Sequence, residues 1–330
     1  MRFDAVFGGS VFCDLVLSGV TLPDVAQSGG EVFADGFALA PGGTATRAVA
    51  AARCGTATAL FGVLGRDPLG DQVAALLAAE DGLDLRFLQR HPSAHTPVTV
   101  ALTNAHDRTF VTYEEPGTGV PDRWPGPLPA AATCHTGLAD PTPAWVGQLR
   151  AAGTTVFGGV GWDPTGAWSA TVLQRLSGVD VFVPNEVEAL HYTRTDDVTA
   201  AVKQLAEHVG TVVVTRGAHG AIAADSSTGE WVELPAVPVT VADPTGAGDV
   251  FVAALMTATV QGWDLPTRVR FAGLLASLSV RALGGATSAP RPADVAAFLR
   301  AQRPPGDLAK KDWTDIEDWA HRCAPEEETR

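Results

Sequence analysis

The residues best suited to chemistry are concentrated in Ala242-Asp243-Pro244-Thr245-Gly246-Ala247-Gly248-Asp249-Val250-Phe251. Small residues let the backbone come close to a ligand. Gly246-Ala247-Gly248 also leads straight into a long apolar run of helical character, whose first N–H groups lack internal partners. Together these features predict an anion site. Such a site suits the charge that grows on a transferred phosphoryl group. Asp249, at the same helix start, would repel an anion, so it reads better as a base that takes a proton from an attacking hydroxyl. Taken alone, the string also fits a glycine turn with an Asp set against the helix dipole.

A second pair is Asn185 and Glu188 in Val183-Pro184-Asn185-Glu186-Val187-Glu188. It follows a predicted strand, and α/β sheets bind ligands at strand C-terminal ends. Amide and carboxylate oxygens there suit a hydrated Mg²⁺; an Asn N-cap with first-turn glutamates is the other reading. Thr215-Arg216-Gly217-Ala218-His219-Gly220 is a glycine-rich turn after the next strand, fit to approach a nucleotide or to serve as a plain turn. Near the start, Asp14 comes five residues after Gly9, Gly42-Gly43 opens an alanine-rich helix, and Gly62, Gly65, Asp67 and Gly70 punctuate a strand-to-helix turn. His91 and His95 lie beside prolines and make a poor metal pair.

These residues need a frame, and the hydrophobic pattern supplies one. Strands are predicted at Ala5-Val6-Phe7, at 58–61, 154–157, 179–183 and 211–214. Helices are predicted at 45–53, 68–79, 144–151, 168–176 and 198–208, and in two pieces between 247 and 284. That alternation predicts a mostly parallel sheet with helices on both faces. Leu15 to Ala40 and Pro97 to Tyr113 break it as β-type runs with no helix between, and they could pair into a small projecting sheet that acts as a lid. From 303 the chain turns strongly charged, with Trp313, Ile316 and Trp319 spaced for a short helix.

Composition excludes several classes. The 330 residues carry 23 Lys+Arg against 37 Asp+Glu, a formal charge of −14. That field repels phosphate backbones, so no nucleic-acid partner is expected. No apolar run is long enough for a membrane helix. Met1-Arg2-Phe3-Asp4 does not open a cationic and then apolar leader, so a cytoplasmic location is expected. Cys13, Cys54, Cys134 and Cys323 are widely spaced and read as free thiols. The only lysines are Lys203, Lys310 and Lys311, so neither a P-loop lysine nor a protein-kinase strand lysine is available. Phosphate would have to be handled by backbone N–H groups, arginine or metal.

Taken together, over roughly residues 4–300, these strings resemble the ribokinase-like (PfkB) family of carbohydrate and nucleoside kinases. The resemblance implies a three-layer α/β/α sandwich with a mostly parallel central sheet and a small β lid from parts of 14–40 and 94–118. The kinase domain would span 1–302 and the charged tail 303–330. It implies Asp249 as the base, with Gly246, Ala247 and Gly248 as the anion hole. Asp14, Gly42 and Gly43, with Thr46 and Arg108, would face the acceptor. Asn185, Thr215, Gly217, Gly220 and Gly273 would face ATP, and Glu188 would sit near Mg²⁺. Asp243, Thr245 and Ser288 stand where some relatives hold K⁺. The stretch Thr44-Ala45-Thr46-Arg47 departs from the family, being one residue short where many members carry an Asn, and Gly273 replaces another Asn. The implied activity is ATP- and Mg²⁺-dependent phosphorylation of a hydroxyl of a small sugar or sugar derivative. A nucleoside kinase of adenosine or cytidine type and a non-catalytic sugar- or nucleotide-binding regulator are the alternatives. A homodimer through the lid is an open expectation.

Overall fold

Alternation along each inner strand decides the architecture. Ala5 and Phe7 point into one core and Val6 into another; Leu60 and Leu64 join the first, Ala59 and Phe61 the second. A strand buried on both faces this way must carry helices on both sides, because successive side chains point to opposite faces. The computed structural model describes residues 2–20, 31–103, 108–301 and 313–324.

The strands are β1 (Arg2–Gly8), β2 (Val11–Ser18), β3 (Gly36–Gly43), β4 (Thr58–Gly65), β5 (Leu83–Asp84), β6 (Leu88–His91), β7 (Val98–Thr103), β8 (Arg108–Tyr113), β9 (Ala130–Gly137), β10 (Thr155–Gly159), β11 (Val181–Phe182), β12 (Thr211–Thr215), β13 (Ala221–Asp225) and β14 (Glu230–Leu234). The helices are α1 (Thr44–Arg53), α2 (Pro68–Ala78), α3 (Ala144–Ala151), α4 (Thr171–Arg175), α5 (Glu186–Thr193), α6 (Val198–Ala206), α7 (Ala247–Val260), α8 (Leu265–Ser279), α9 (Pro292–Ala301) and α10 (Thr314–Cys323).

The central sheet runs β14-β13-β12-β11-β10-β9-β1-β4-β5, with β6 also on β4. Its pairs from β12 to β6 are parallel, and β12–β13 and β13–β14 are antiparallel. Helices α1, α7, α8 and α9 cover one face and α3, α5 and α6 the other. This is the expected three-layer α/β/α sandwich. A second sheet, β3-β2-β7-β8, is built from the two β-type stretches. Phe37, Phe110, Val111 and Tyr113 stand exposed on its strands.

Three local differences from the sequence reading have physical causes. The helix expected from Trp168 starts only at Thr171. Asp163 Oδ2 accepts the Trp168 N–H at 2.6 Å and holds that residue at φ +46°, outside helical geometry. The strand expected over 179–183 shortens to β11 at both ends: the Val179 N–H turns back to Leu176 O, and Pro184, just past Val183, has no N–H to donate. The antiparallel edge β13–β14 and the central strand β9 were not anticipated.

Helix α10 packs on the body: Trp313, Ile316, Trp319 and Ala320 are buried, and Trp319 meets Phe271 of α8 edge-on at 4.6 Å. The four cysteines are free thiols. No helix among the described residues is long and apolar enough to cross a membrane.

Candidate active site

The start of α7 meets residues from α1, β2, β9 and α5: Arg47 pairs with Asp249, and Asp14, His135 and Glu188 lie within electrostatic reach of that pair. Gly246 forms the N-cap of α7 in the left-handed region, at φ +76°. Only glycine takes this conformation freely. A Cβ there would also lie 2.9 Å from Gly285 Cα, so the 284–288 turn can pack directly on the helix start. Gly248 is exposed, and no atom lies within 4 Å of where its Cβ would point. The helix start therefore presents bare backbone to open space, where uncapped N–H groups can meet an anion.

Asp249 follows in the first turn of α7. Its Oδ1 is 2.7 Å from an Arg47 guanidinium nitrogen, and both side chains are only partly exposed. Burial raises its proton affinity, while Arg47 and Arg108 pull against that rise. Arg108 thus acts on Asp249 from β8 of the small sheet, while Arg47 does so from α1.

Asp14, in β2, faces the same carboxylate. Burial first, and then the Asp249 charge, push Asp14 up to about 7. The β2–β3 register sets Phe12 opposite Gly42, and a Cβ on Gly42 would lie 2.0 Å from Asp14 Oδ1. Gly42 is therefore the space the Asp14 carboxylate occupies. Gly43, at φ +61°, turns the chain from β3 into α1, and the Thr44 N–H donates to Ser10 O at 3.0 Å. Thr46 is buried, with its hydroxyl donating to Pro41 O at 3.2 Å.

Asn185 and Glu188 form a capping box. Asn185 Oδ1 accepts the Glu188 N–H, and Glu188 Oε2 accepts the Asn185 N–H, both at 2.9 Å. The N-cap reading is thus realised, and it holds a buried carboxylate at a strand end. Burial pushes Glu188 up to about 7, against the Asn185 N–H and Arg47. Asn185 pairs with Thr215 across the ends of β11 and β12, and Gly217 and Gly220 follow in the next turn. Gly273 lies mid-α8, with no atom near its missing Cβ.

Asp243 is fully buried. Its Oδ1 accepts the Thr245 N–H at 2.9 Å and its Oδ2 the Gly284 N–H at 3.1 Å. Thr245 Oγ1 is buried without a partner, and Ser288 Oγ donates to Gly285 O at 2.8 Å. A buried carboxylate beside an orphaned hydroxyl is a donor set that fits a monovalent cation. Glu188 fits Mg²⁺ in a different way, as a single carboxylate that leaves most of the shell to water and phosphate. Among the described residues no three His, Cys, Asp or Glu gather to hold a metal by themselves. His91 and His95 do not converge: His91 Nδ1 accepts the Ala94 N–H at 2.7 Å, and His95 pairs with Glu115 at 2.8 Å.

Two residues at this floor went unassigned in the sequence. Arg47 was visible only as part of the departure after Gly43. His135, in β9, is buried with both ring nitrogens unpartnered, and burial, with Arg47 adding to it, holds its proton affinity well below the usual range.

Fold and floor together define a class: an α/β phosphotransferase architecture in which a glycine-opened helix start and a carboxylate share one cleft. The chain belongs to the PfkB family, since the family model described as pfkB family carbohydrate kinase matches residues 26–292. The bifunctional protein HldE of Azotobacter vinelandii is 30% identical over 263 residues, 75% of this chain and 53% of that one. This chain thus spans about half the length of such curated relatives. A nucleoside kinase of Methanothermobacter thermautotrophicus is 27% identical over 79% of this chain and 84% of its own. The structure of Arabidopsis thaliana ribokinase with ribose and ATP superposes with a TM-score of 0.73 at 23% identity, covering 91% of this chain and 99% of that one.

Proposed function

We propose that the protein transfers the γ-phosphoryl group of ATP to a hydroxyl of a small sugar or sugar derivative. The observation that carries this reading is Asp249 set in the first turn of a helix whose glycine start faces open space. Asp14 and the Gly42-Gly43 backbone orient the acceptor. Asp249 takes the proton of the acceptor hydroxyl, and its burial-raised proton affinity suits that task. The backbone N–H groups of Gly246, Ala247 and Gly248 offset charge on the transferring group. Asn185, Thr215, Gly217, Gly220 and Gly273 receive the nucleotide. Glu188 would hold Mg²⁺ through water; the ion would supply further neutralisation of phosphate charge. Asp243, Thr245 and Ser288 would hold K⁺. The small sheet carries Asp14 and Arg108 and acts as a lid that excludes water, the competing acceptor.

The nucleoside kinase relative, which matches most of both chains, favours a nucleoside acceptor as the second reading.

The test is ADP release with ATP and Mg²⁺, with and without K⁺, over pentoses, hexoses, sugar acids, sugar phosphates and nucleosides. Asp249→Asn is expected to fold and bind nucleotide but to lose at least 100-fold in kcat. Near wild-type turnover in that variant would remove Asp249 from the base role. Nucleotide binding with no ADP release on any acceptor would favour the regulator reading.

A further inference from the structure

The family residues at the floor are carboxylates, glycines and backbone, yet the group that ties them together is Arg47. Helix α1 packs along α7, and one turn after Gly43 it sets the Arg47 guanidinium against Asp249 Oδ1 at 2.7 Å. The same cation acts on Glu188 from α5 and on His135 from β9. Arg47 is therefore within electrostatic reach of both the acceptor-side base and the nucleotide-side carboxylate. Its Nε is buried without a partner, so the ion pair with Asp249 leaves part of the fork unsatisfied. His135 behind it is also buried without a partner on either nitrogen. A planar guanidinium presents several N–H donors in a geometry that matches phosphate oxygens. Lys203, the only lysine among the described residues, lies exposed on α6.

We propose that Arg47 is a catalytic residue that exchanges partners. Without nucleotide it locks Asp249 in an ion pair; with ATP bound it turns its N–H groups to the γ-phosphoryl oxygens and releases Asp249. In the step that follows, the acceptor O–H bond breaks and Asp249 takes the proton. The acceptor oxygen forms the new bond to phosphorus, and the bond from phosphorus to the bridging oxygen breaks, its electron pair leaving with ADP. Arg47 neither gains nor loses a proton. This rests on the kinase reading above, but its binding arm does not depend on Asp249 acting as base.

The experiment compares wild type, Arg47→Lys, Arg47→Met and Asp249→Asn by calorimetry with two probes, Mg²⁺ADP and the Mg²⁺ complex of a β,γ-imido ATP analogue. No acceptor is needed. Wild type is expected to prefer the analogue. Arg47→Met loses that preference by about tenfold or more through the analogue alone, Arg47→Lys retains part of it, and Asp249→Asn binds the analogue more tightly because the lock is gone. Circular dichroism and the unchanged ADP affinity control for folding.

On any acceptor active with wild type, Arg47→Met is expected to lose about 100-fold in kcat, with added millimolar guanidinium restoring part of it. An Arg47→Met protein that keeps the wild-type analogue-to-ADP ratio overturns the proposal. So does wild-type kcat in Arg47→Met while Asp249→Asn is inactive, which leaves the base assignment standing. Turnover surviving in Asp249→Asn, with the Arg47→Met binding loss observed, would instead remove the base and keep the arginine contact.

Discussion

Asp14→Asn is expected to make the ligand-free protein more stable while weakening use of the acceptor. Asp14 is an acid whose folded pKa is about 7 against an ordinary value of 3.8. The folded state therefore holds the proton more tightly than the unfolded chain does. The resulting destabilisation is fully present above the folded pKa and disappears as pH falls toward 4. A rise of about 3 units corresponds to about 4 kcal/mol at most, at 1.36 kcal/mol per unit. Asp14 retains some solvent contact, and an amide also loses hydration on burial, so about 1–3 kcal/mol is expected at pH 8. With unfolding entropy of about 2.1 cal/mol/K per residue over 330 residues, that is about 1.5–4 °C in Tm.

The assay is thermal unfolding of wild type and Asp14→Asn between pH 5 and pH 9. The quantity to read is the difference between the two, because Glu188, also pushed up to about 7, tilts both curves in the same direction. That difference should be well under its full size at pH 5, grow in favour of Asn up to about pH 7 and level off above it. Asp249→Asn should shrink it, since the Asp249 charge is the second cause of the shift. A difference that stays flat from pH 5 to pH 9, or that favours wild type at pH 8, would refute the reasoning. In the kinase assay the same variant is expected to lose about 10–100-fold in kcat/KM for the acceptor, as removal of a charged hydrogen-bond partner does.

Gly42→Ala puts a Cβ onto the Asp14 carboxylate; it should raise the acceptor KM at least tenfold. Affinity for the ATP analogue should stay within about twofold, and equal damage to both would show a general distortion. Trp319→Ala removes a fully buried ring set edge-on against Phe271. Thermal unfolding should show a loss of about 3–5 kcal/mol. A loss below about 1 kcal/mol would mean that α10 is not docked on α8 in solution.

What the sequence makes legible is what is local. Gly246-Ala247-Gly248-Asp249 can be read because a left-handed glycine, a helix start and a first-turn carboxylate are neighbours in the chain. Asn185 and Glu188 are legible for the same reason, and their capping box fixes a buried carboxylate just past the end of β11. Strand β9 escaped notice because Ala130-Ala131-Ala132 carries no β-branched signature, and tertiary pairing with β1 and β10 overrides that propensity. His135 was hidden with it. In the sequence Gly42 reads as half of the glycine pair that opens an alanine-rich helix. Only the β2–β3 register shows that its missing side chain is the seat of Asp14.

The floor is costly without ligand, and the cost identifies what the ligand must bring. Asp14 and Glu188 are both pushed up to about 7, and Asp249 is raised as well, each first by burial. Arg47 lowers the last two, yet makes its close ion pair only with Asp249. Acceptor hydroxyls donate hydrogen bonds, which suits Asp14, and a hydrated cation suits Glu188. A phosphoryl group accepts hydrogen bonds, which suits the α7 start and Arg47. On the proposed reading, Asp14, Glu188 and the Arg47–Asp249 pair thus match different parts of the acceptor–nucleotide pair. Binding one part changes the charge that the others feel, so acceptor and nucleotide should bind cooperatively, with each raising the affinity for the other by the same factor.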